Sequence, residues 1–129
     1  MIVHEGRKYP TVEHAYQAAK TDDIEHQIQI QTAETPGIAK RMGRKYGPKP
    51  GTVLAQQWEK EKEGVMLSLL QQKFAQPWFR KQLLATSNAE LVEGNTWNDT
   101  YWGVCGGAGK NRLGLLLMQV RTELQQKNP

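Results

Sequence analysis

The sequence predicts a mainly helical α+β domain in which several helices pack around a small β-sheet. Three observations support this prediction. Apolar residues recur at helical spacing in several segments, only short stretches resemble strands, and a stretch near the C-terminus is rich in Gly and Asn. The length of 129 residues suits one domain with one core. We therefore expect a single domain over residues 1–129.

The first elements are a short hairpin and a helix. Residues 2–9 predict a strand or hairpin with a turn at Glu5-Gly6. Thr11 is a suitable N-cap, and it predicts a helix over roughly 12–21. The apolar stripe of that helix consists of Val12, Ala15, Tyr16 and Ala19.

A second stripe on the same helix is polar and lies on an adjoining face. It consists of Glu13, Gln17 and Lys20 at i, i+4 and i+7. A polar stripe beside an apolar one can line the wall of a pocket. Spacing alone favours the simpler interpretation, which is a ladder of side chains facing solvent.

Two more helices follow. Residues 24–33 predict a helix with Ile24 and Ile28 on one face, although its β-branched residues weaken the pattern. Thr35-Pro36 predicts a cap followed by proline at the first helical position, and that helix should end at about Arg44.

The longest helix follows a loop at residues 47–51. Thr52 predicts its cap, and the helix should span roughly 53–75. Lys60 through Glu63 are predicted to be its exposed charges. The predicted inward residues are Leu54, Trp58, Val65, Met66, Leu69, Leu70 and Phe74.

The C-terminal part begins where Gln76-Pro77 breaks the helical pattern. We expect a helix from Trp78 to Thr86, a short strand at 91–93, and mostly loop over 94–111. The last helix should run from about Asn111 to Gln126. Its buried stripe is predicted to be Leu113, Leu116, Leu117, Val120 and Leu124.

The composition limits the cellular compartments and the kinds of binding partner that we expect. The chain has no apolar stretch long enough for a membrane span, no signal-peptide pattern at its start, and one cysteine, Cys105. We therefore expect a cytoplasmic protein without a membrane partner. The net charge of +4 suits an anionic partner such as a nucleotide, a sugar phosphate or nucleic acid. A solvated basic face explains the same charge equally well.

The segment from Glu93 to Gly103 carries the most unusual chemistry in the chain. It combines two carboxylates, two tryptophans, a tyrosine and two asparagines in a predicted loop. Aromatic rings can stack on a heterocyclic base, and carboxylates near a sugar can stabilise an oxocarbenium-like transition state or activate water. The combination favours function over the alternative, a structural loop whose aromatic residues fill the core.

The glycine-rich segment 103–111 leads into the last helix. It suits a phosphate cradle with Lys110 as a mobile charge, and a plain flexible connection suits it equally well. A P-loop is excluded, because Val104 and Asn111 occupy the positions that need Gly and Ser or Thr. The histidines do not cluster at metal-ligand spacing, so no metal site is expected, and His14 is interpreted as structural.

These residues together resemble the NADAR (YbiA-like) family in order and spacing over residues 8–124. The matching pieces are Tyr9 through Lys20, Ala39-Lys40, Gly43-Arg44, Trp58, Val65-Met66, Lys73-Phe74, Leu83 through Thr86, Leu91 through Glu93, Asp99 through Gly103, Gly109 through Gly114, Met118 and Arg121.

The resemblance implies hydrolysis of an N-glycosidic bond without a metal or redox cofactor. Ribosylamino-pyrimidine 5′-phosphates of riboflavin synthesis are the first substrate candidates, and ADP-ribosylated guanine, free or in nucleic acid, is the second. The implied catalytic candidates are Glu13, Glu93, Asp99 and Lys40, and the implied substrate-binding residues are Trp102, Trp97, Lys20, Arg44, Gln17, Lys110 and Asn111. Longer members have an additional strand before the first matching block, so we expect this domain to lack it.

The hypothesis that follows places the base on Trp102 or Trp97 and a carboxylate opposite the anomeric carbon. It requires Glu13, Glu93 and Asp99 to share one cleft. Two alternatives stay open from the sequence. One is a module that binds ADP-ribose or a nucleotide without cutting it. The other is nonspecific nucleic-acid binding, which the absence of a long basic face disfavours.

Overall fold

The computed structural model describes residues 1–127, which form six α-helices and four short β-strands. The predicted helix-rich α+β class is confirmed, although the strands form two two-stranded sheets and not one. The elements are β1 (Ile2–His4), β2 (Arg7–Tyr9), α1 (Val12–Ala18), α2 (Ile24–Gln31), α3 (Pro36–Tyr46), α4 (Val53–Ala75), α5 (Pro77–Ala85), β3 (Gly94–Asn95), β4 (Val104–Cys105) and α6 (Arg112–Lys127). The chain divides into two compact units, Met1–Lys73 and a second one from Phe74 onward.

In the first unit, β1 and β2 form the predicted antiparallel hairpin, with Ile2 opposite Tyr9. Both turn residues, Glu5 and Gly6, have positive φ, as a tight two-residue hairpin turn requires. Ile2 and Tyr9 are buried, so the paired ends of the strands contribute directly to the core.

Helix α1 begins at the predicted cap but ends at Ala18, before the predicted end at about residue 21, so Lys20 lies in the turn that follows it. Thr11 Oγ1 accepts from the backbone N–H of His14, a contact that typically stabilises a helix by about 1 kcal/mol. His14 is buried; its Nδ1 lies 2.7 Å from Thr11 Oγ1 and its Nε2 3.0 Å from the Ala33 carbonyl oxygen. This histidine therefore has the structural role that the sequence predicted, and α1 packs against α2, α3 and the hairpin.

Helix α2 buries a different face from the one that its periodicity suggested. Ile24 and Ile28 are exposed, whereas Ile30 is fully buried. The spacing of Ile24 and Ile28 was real, but nothing in a local pattern says which side of a short helix meets the core. Helix α3 begins as predicted, with Thr35 as N-cap and Pro36 at its start.

Helix α4 is the longest, and Thr52 Oγ1 accepts from Ala55 N near its start. Two expectations about its faces were wrong. Leu54 is 62% exposed, because it lies in the first turn beyond the buried stretch of the helix. Lys62, predicted among the exposed charges, is buried.

In the second unit, α5 packs against α6. Leu116, Val120 and Leu124 of α6 are buried as predicted. Arg121 is buried as well, and its Nη1 donates to Thr86 Oγ1 at 2.8 Å.

The predicted strand at residues 91–93 does not form. Asn111 Oδ1 accepts from Glu93 N at 2.9 Å, and Asn111 Nδ2 donates to the Leu91 carbonyl at 2.8 Å. The Asn111 side chain thus makes the backbone hydrogen bonds that a neighbouring strand would otherwise make. Pairing begins only at Gly94, where β3 lies parallel to β4.

Among residues 1–127, no helix has both the length and the apolar composition needed to cross a membrane.

Candidate active site

The polar stripe of Glu13, Gln17 and Lys20, which runs along α1 into the turn after it, is not a solvent-facing ladder. Gln17 is only 3% exposed, and Glu13 and Lys20 are half-buried. Gln17 Nε2 donates to Glu13 Oε1 over a long distance of 3.4 Å. The interpretation that spacing alone favoured is therefore wrong, and the stripe lies partly inside the first unit.

Lys20 lies at the centre of a group of charges in the first unit. Burial lowers the pKa of its ammonium group from 10.5, and the positive charges of Arg44, Lys40 and Lys62 lower it further. Glu13 opposes this by stabilising the charged form. Three further cations and one carboxylate thus act on Lys20, and this local positive charge favours an anionic ligand.

Lys62 is the member of this group that sequence reasoning missed. Its side chain is 10% exposed, and its Nζ lies 2.7 Å from Glu59 Oε2. A signal was present, because Lys62 lies four residues after Trp58 and four before Met66, on one helical face. The run of charges from Lys60 to Glu63 obscured that periodicity.

Aromatic rings border Lys20. Its Nζ lies 5.3 Å from the centroid of the Tyr16 ring, and that ring packs at 5.3 Å against Trp58 in a tilted arrangement. A ring face attracts an ammonium group and partly compensates its lost hydration. Lys20 and Trp58 also line an open cleft of about 370 Å³, together with Ala19, Thr21, Asp22, Tyr46, Gly47, Pro48, Lys49, Thr52, Leu54, Gln57 and Glu61.

Gly43 on α3 and Gly47 directly after that helix leave room for the side chains of the polar stripe. A Cβ atom on Gly43 would lie 2.8 Å from Cδ and 2.9 Å from Cβ of Gln17, and still closer to Gln17 Oε1. A Cβ atom on Gly47 would lie 2.6 Å from the Gly43 carbonyl oxygen and 3.4 Å from Cβ and Cδ of Lys20. The side chains of the polar stripe therefore pack directly against the backbone of α3.

In the second unit, Asp99 organises the segment that the sequence singled out. Its Oδ1 accepts from the backbone N–H groups of Tyr101 at 3.2 Å and Trp102 at 2.9 Å. Asn95 Oδ1 accepts in turn from Asp99 N at 3.1 Å. At least one Asp99 oxygen therefore holds the loop in shape.

The aromatic residues of this segment differ in accessibility. Trp97 is 58% exposed. Trp102 is half-buried and packs edge-on against Tyr101 at 5.0 Å. Trp97 therefore does not fill the core of its unit, and Trp102 keeps part of its surface accessible.

Glu93 is held through its backbone. Its N–H donates to Asn111, and its carbonyl accepts from Val104 N at 2.7 Å. Gly103 leaves room for its side chain, because a Cβ atom there would lie 2.9 Å from Glu93 Cγ. Among residues 1–127, no hydrogen bond of the kind that restrains Asp99 is seen for the half-buried Glu93 carboxylate.

The glycine-rich segment before α6 is an ordered turn. Four consecutive N–H groups, from Lys110 to Leu113, donate to the carbonyls of the 100–103 segment. These N–H groups are therefore already bonded and not directed at a phosphate. Lys110 Nζ lies 5.6 Å from the centroid of the Tyr101 ring.

The predicted site residues thus fall into two sets. Glu13, Gln17, Lys20, Lys40 and Arg44 belong to the first unit, and Lys20 interacts electrostatically with Glu13, Lys40 and Arg44. Glu93, Trp97, Asp99, Trp102, Lys110 and Asn111 belong to the second. That the acidic residues of both sets share one cleft stays a prediction. In the part of the chain that the structure describes, no group of three or more His, Cys, Asp or Glu side chains could hold a metal ion.

The helix-rich chain matches a known family of proteins, the NADAR domain. The model of that family matches residues 1–125, so the chain belongs to the NADAR family. It is 47% identical over 122 residues to the N-glycosidase YbiA of Escherichia coli, covering 93% of this chain and 73% of that protein. The NMR structure of E. coli YbiA superimposes with a TM-score of 0.81 at 42% identity, covering 98% of this chain and 73% of that one.

A more distant relative is a riboflavin biosynthesis protein of Vibrio vulnificus. It is 38% identical over an alignment of 135 positions, which covers 99% of this chain and 34% of that protein. A protein of Nostoc punctiforme that is 34% identical over 122 residues is again named an N-glycosidase. These relatives confirm the predicted class of enzyme, an N-glycosyl hydrolase of the NADAR family.

Proposed function

We propose that the protein hydrolyses the bond between ribose 5′-phosphate and a nitrogen base, with a ribosylamino-pyrimidine phosphate of riboflavin biosynthesis as its substrate. The names of the relatives support the reaction and the pathway. The observation that carries the proposal is the group of cations around the half-buried Lys20, with Glu13 as its carboxylate. That arrangement suits a phosphorylated sugar whose anomeric carbon becomes positive during the reaction.

In the proposed mechanism, Lys20, Lys40 and Arg44 bind the phosphate. As the bond from the anomeric carbon to nitrogen breaks, the bonding electrons leave with the base and positive charge grows on the sugar. The Glu13 carboxylate stabilises that charge more than it stabilises the ground state, and it accepts a proton from the attacking water. The leaving nitrogen takes up a proton from solvent, Glu13 releases to solvent the proton that it took from water, and ribose 5-phosphate is the other product.

A covalent route uses the same residues. A neutral lysine amine can add to C1 of the ring-opened sugar and displace the base amine, which leaves a Schiff base that water then hydrolyses. The lowered pKa of Lys20 increases its neutral fraction near neutral pH. This feature favours Lys20 as the reacting amine. Reduction with borohydride during turnover would trap the adduct on Lys20.

In the second unit, we propose Glu93 as the chemically active carboxylate in preference to Asp99. Asp99 Oδ1 already accepts two backbone N–H groups, which commits it to shaping the loop. Trp102 and Trp97 are proposed as stacking surfaces for a base, since each keeps an accessible ring surface. Lys110 and Asn111 are assigned smaller roles. The Asn111 amide is occupied by backbone groups, and the Lys110 ammonium lies over the Tyr101 ring.

The substrate is tested by incubating the protein with ribosylamino-pyrimidine phosphates and with ADP-ribosylated guanine, followed by mass spectrometry for the released base. We expect release from the pyrimidine compounds. Release from ADP-ribosylated guanine alone would replace the proposed substrate with the second candidate. Binding of ADP-ribose in calorimetry without release of any base would identify a binding module instead.

The carboxylates are tested by single replacement with the matching amide: Glu13→Gln, Glu93→Gln and Asp99→Asn. Loss of a general acid or base lowers kcat by about 10²–10⁴-fold, and we expect this for Glu13→Gln and Glu93→Gln. Asp99→Asn keeps an oxygen that can accept the same backbone N–H groups, so a smaller loss is expected. Full turnover in all three variants would refute carboxylate catalysis.

A further inference from the structure

We propose that Gln17 is a positioning residue that holds the Glu13 carboxylate in place while packed against the backbone of Gly43. This inference rests on the proposed function, because it assigns Gln17 a task in the reaction attributed to Glu13. Within the proposed site, Gln17 would act through Glu13 and not on the substrate.

The first support is the environment of the Gln17 amide. The side chain is 3% exposed, and its Oε1 is buried without a hydrogen-bond partner among the residues that the structure describes. Burying an amide with one group unsatisfied costs stability. An apolar side chain of similar length would avoid that cost, so stability alone does not explain a glutamine here.

The second support is the space provided by Gly43. This glycine lies inside α3 without a positive φ, so its backbone conformation does not require glycine. Glycine within a helix is destabilising relative to alanine. Any Cβ atom at this position would collide with Gln17. Gly43 and Gln17 thus both reduce stability, and together they fix the Gln17 amide beside Glu13.

The third support is electrostatic. An ionised Glu13 carboxylate can accept hydrogen bonds but cannot donate them. It therefore selects the amide orientation in which Gln17 Nε2 lies 3.4 Å from Glu13 Oε1. Lys20 lies in the turn after α1, and the cations that act on it are Lys40 and Arg44 on α3 and Lys62 on α4. Lys62 in turn pairs with Glu59. The charge attraction between Lys20 and the Glu13 carboxylate does not by itself fix the direction of that carboxylate. A directional N–H group fixes one of its oxygens.

The experiment is a double-mutant cycle with Gln17→Ala, Gly43→Ala and the combined variant. Truncating Gln17 removes its amide, including the Oε1 and Cδ atoms that would lie closest to a methyl group at position 43; Gln17 Cβ remains at 2.9 Å, so the clash is relieved in part. Each single variant should lower kcat by about 10- to 100-fold, as expected when a reacting group is misplaced by about 1 Å, and KM should change less than kcat. The combined variant should regain thermal stability relative to Gly43→Ala, yet keep the low kcat.

A purely structural role predicts a different result, namely that the combined variant regains both stability and kcat. That result would overturn the proposal. Gly64→Ala is the matched control, because Gly64 also lies within a helix and a Cβ atom there meets nothing within 4 Å. It should leave kcat unchanged.

The pH profile gives a readout that packing would not move. Loss of an N–H donor makes a carboxylate easier to protonate, so the acidic limb of kcat/KM should move to higher pH in Gln17→Ala and stay in place in Gly64→Ala. If the wild-type protein releases no base from any compound, the proposed function fails. ¹³C NMR titration of the Glu13 carboxylate then tests this inference separately, and identical titration curves for wild type and Gln17→Ala would overturn it.

Discussion

Lys20 illustrates how function and stability oppose each other in one side chain. Burial and three neighbouring cations lower its pKa from 10.5, so the folded protein binds the Lys20 proton less tightly than the unfolded chain does. Between the lowered pKa and 10.5, unfolding takes up a proton, and the free energy of unfolding therefore rises with pH. The cost of charged Lys20 is fully present below the folded pKa and disappears above 10.5.

Replacement of Lys20 by methionine tests this cost. Methionine keeps most of the length of the side chain without its charge, so Lys20→Met should raise the melting temperature at pH 7 by a few degrees and abolish turnover. The gain should shrink as the pH approaches 10.5. Calorimetry at several pH values measures both effects, and Lys60→Met, which removes an exposed lysine from α4, is the control. A gain that is independent of pH would contradict the explanation.

Sequence reasoning at the residue scale identified the right chemistry more often than the right environment. Glu13, Gln17 and Lys20 were found because helical spacing places them on one stripe. The sequence did not reveal that Gln17 is buried, because its burial depends on Gly43, 26 positions later. The burial of Lys62 was likewise not evident from the sequence.

At the scale of elements, the start of α6 depends on a single side chain. Asn111 has a φ of 51°, and its amide bridges Leu91 and Glu93. Gly114 allows the same approach, since a Cβ atom there would collide with the Leu91 carbonyl oxygen. Segment 91–93 is therefore held against the beginning of α6, and this contact replaces the predicted strand.

Asn111→Ala should lower the free energy of unfolding by about 2–4 kcal/mol. Two partly buried backbone groups lose their partner, and alanine disfavours a positive φ. Asn111→Gly separates the two causes, because glycine tolerates the backbone conformation, and it should lose about 1–3 kcal/mol. Urea unfolding measures both variants. A glycine variant as stable as the wild type would mean that the side-chain bonds contribute nothing.

Helices were predicted better than strands for a physical reason. Helical hydrogen bonds are local, so caps such as Thr11, Thr35 and Thr52 mark helix starts in the sequence itself. The tight β1–β2 hairpin was predictable on the same grounds. The pairing of β3 with β4 joins residues about ten positions apart through an irregular loop, which no local pattern specifies.

At the scale of the whole molecule, the positions of the cations decide how the net charge of +4 is interpreted. The sequence left a solvated basic face and an anion site equally open. In the first unit, Lys40, Arg44 and Lys62 act on the half-buried Lys20. Lys62 is buried and Lys40 is half-buried, and this concentration of charge favours the anion site.

A phosphate-bearing ligand should therefore stabilise the protein. A ligand that binds only the folded state adds about 2.7 kcal/mol when its concentration is 100 times its Kd. We expect ribose 5-phosphate to raise the melting temperature and ribose to have no effect. The shift should fall in Arg44→Ala and at high salt. Equal shifts in the wild type and Arg44→Ala would argue against the proposed phosphate site.

The sequence by itself determined the helix-rich class, nearly all helix starts, the family and the residue types of the site. These properties depend on local hydrogen bonding, periodicity and the order of short motifs. Only the tertiary structure decided which face of α2 is buried, that Lys62 lies inside, that Gln17 packs against Gly43, and that Asn111 replaces a strand partner. Each of these depends on contacts between segments distant in sequence, and burial, which sets the chemistry of a charged group, exists only once those segments have packed.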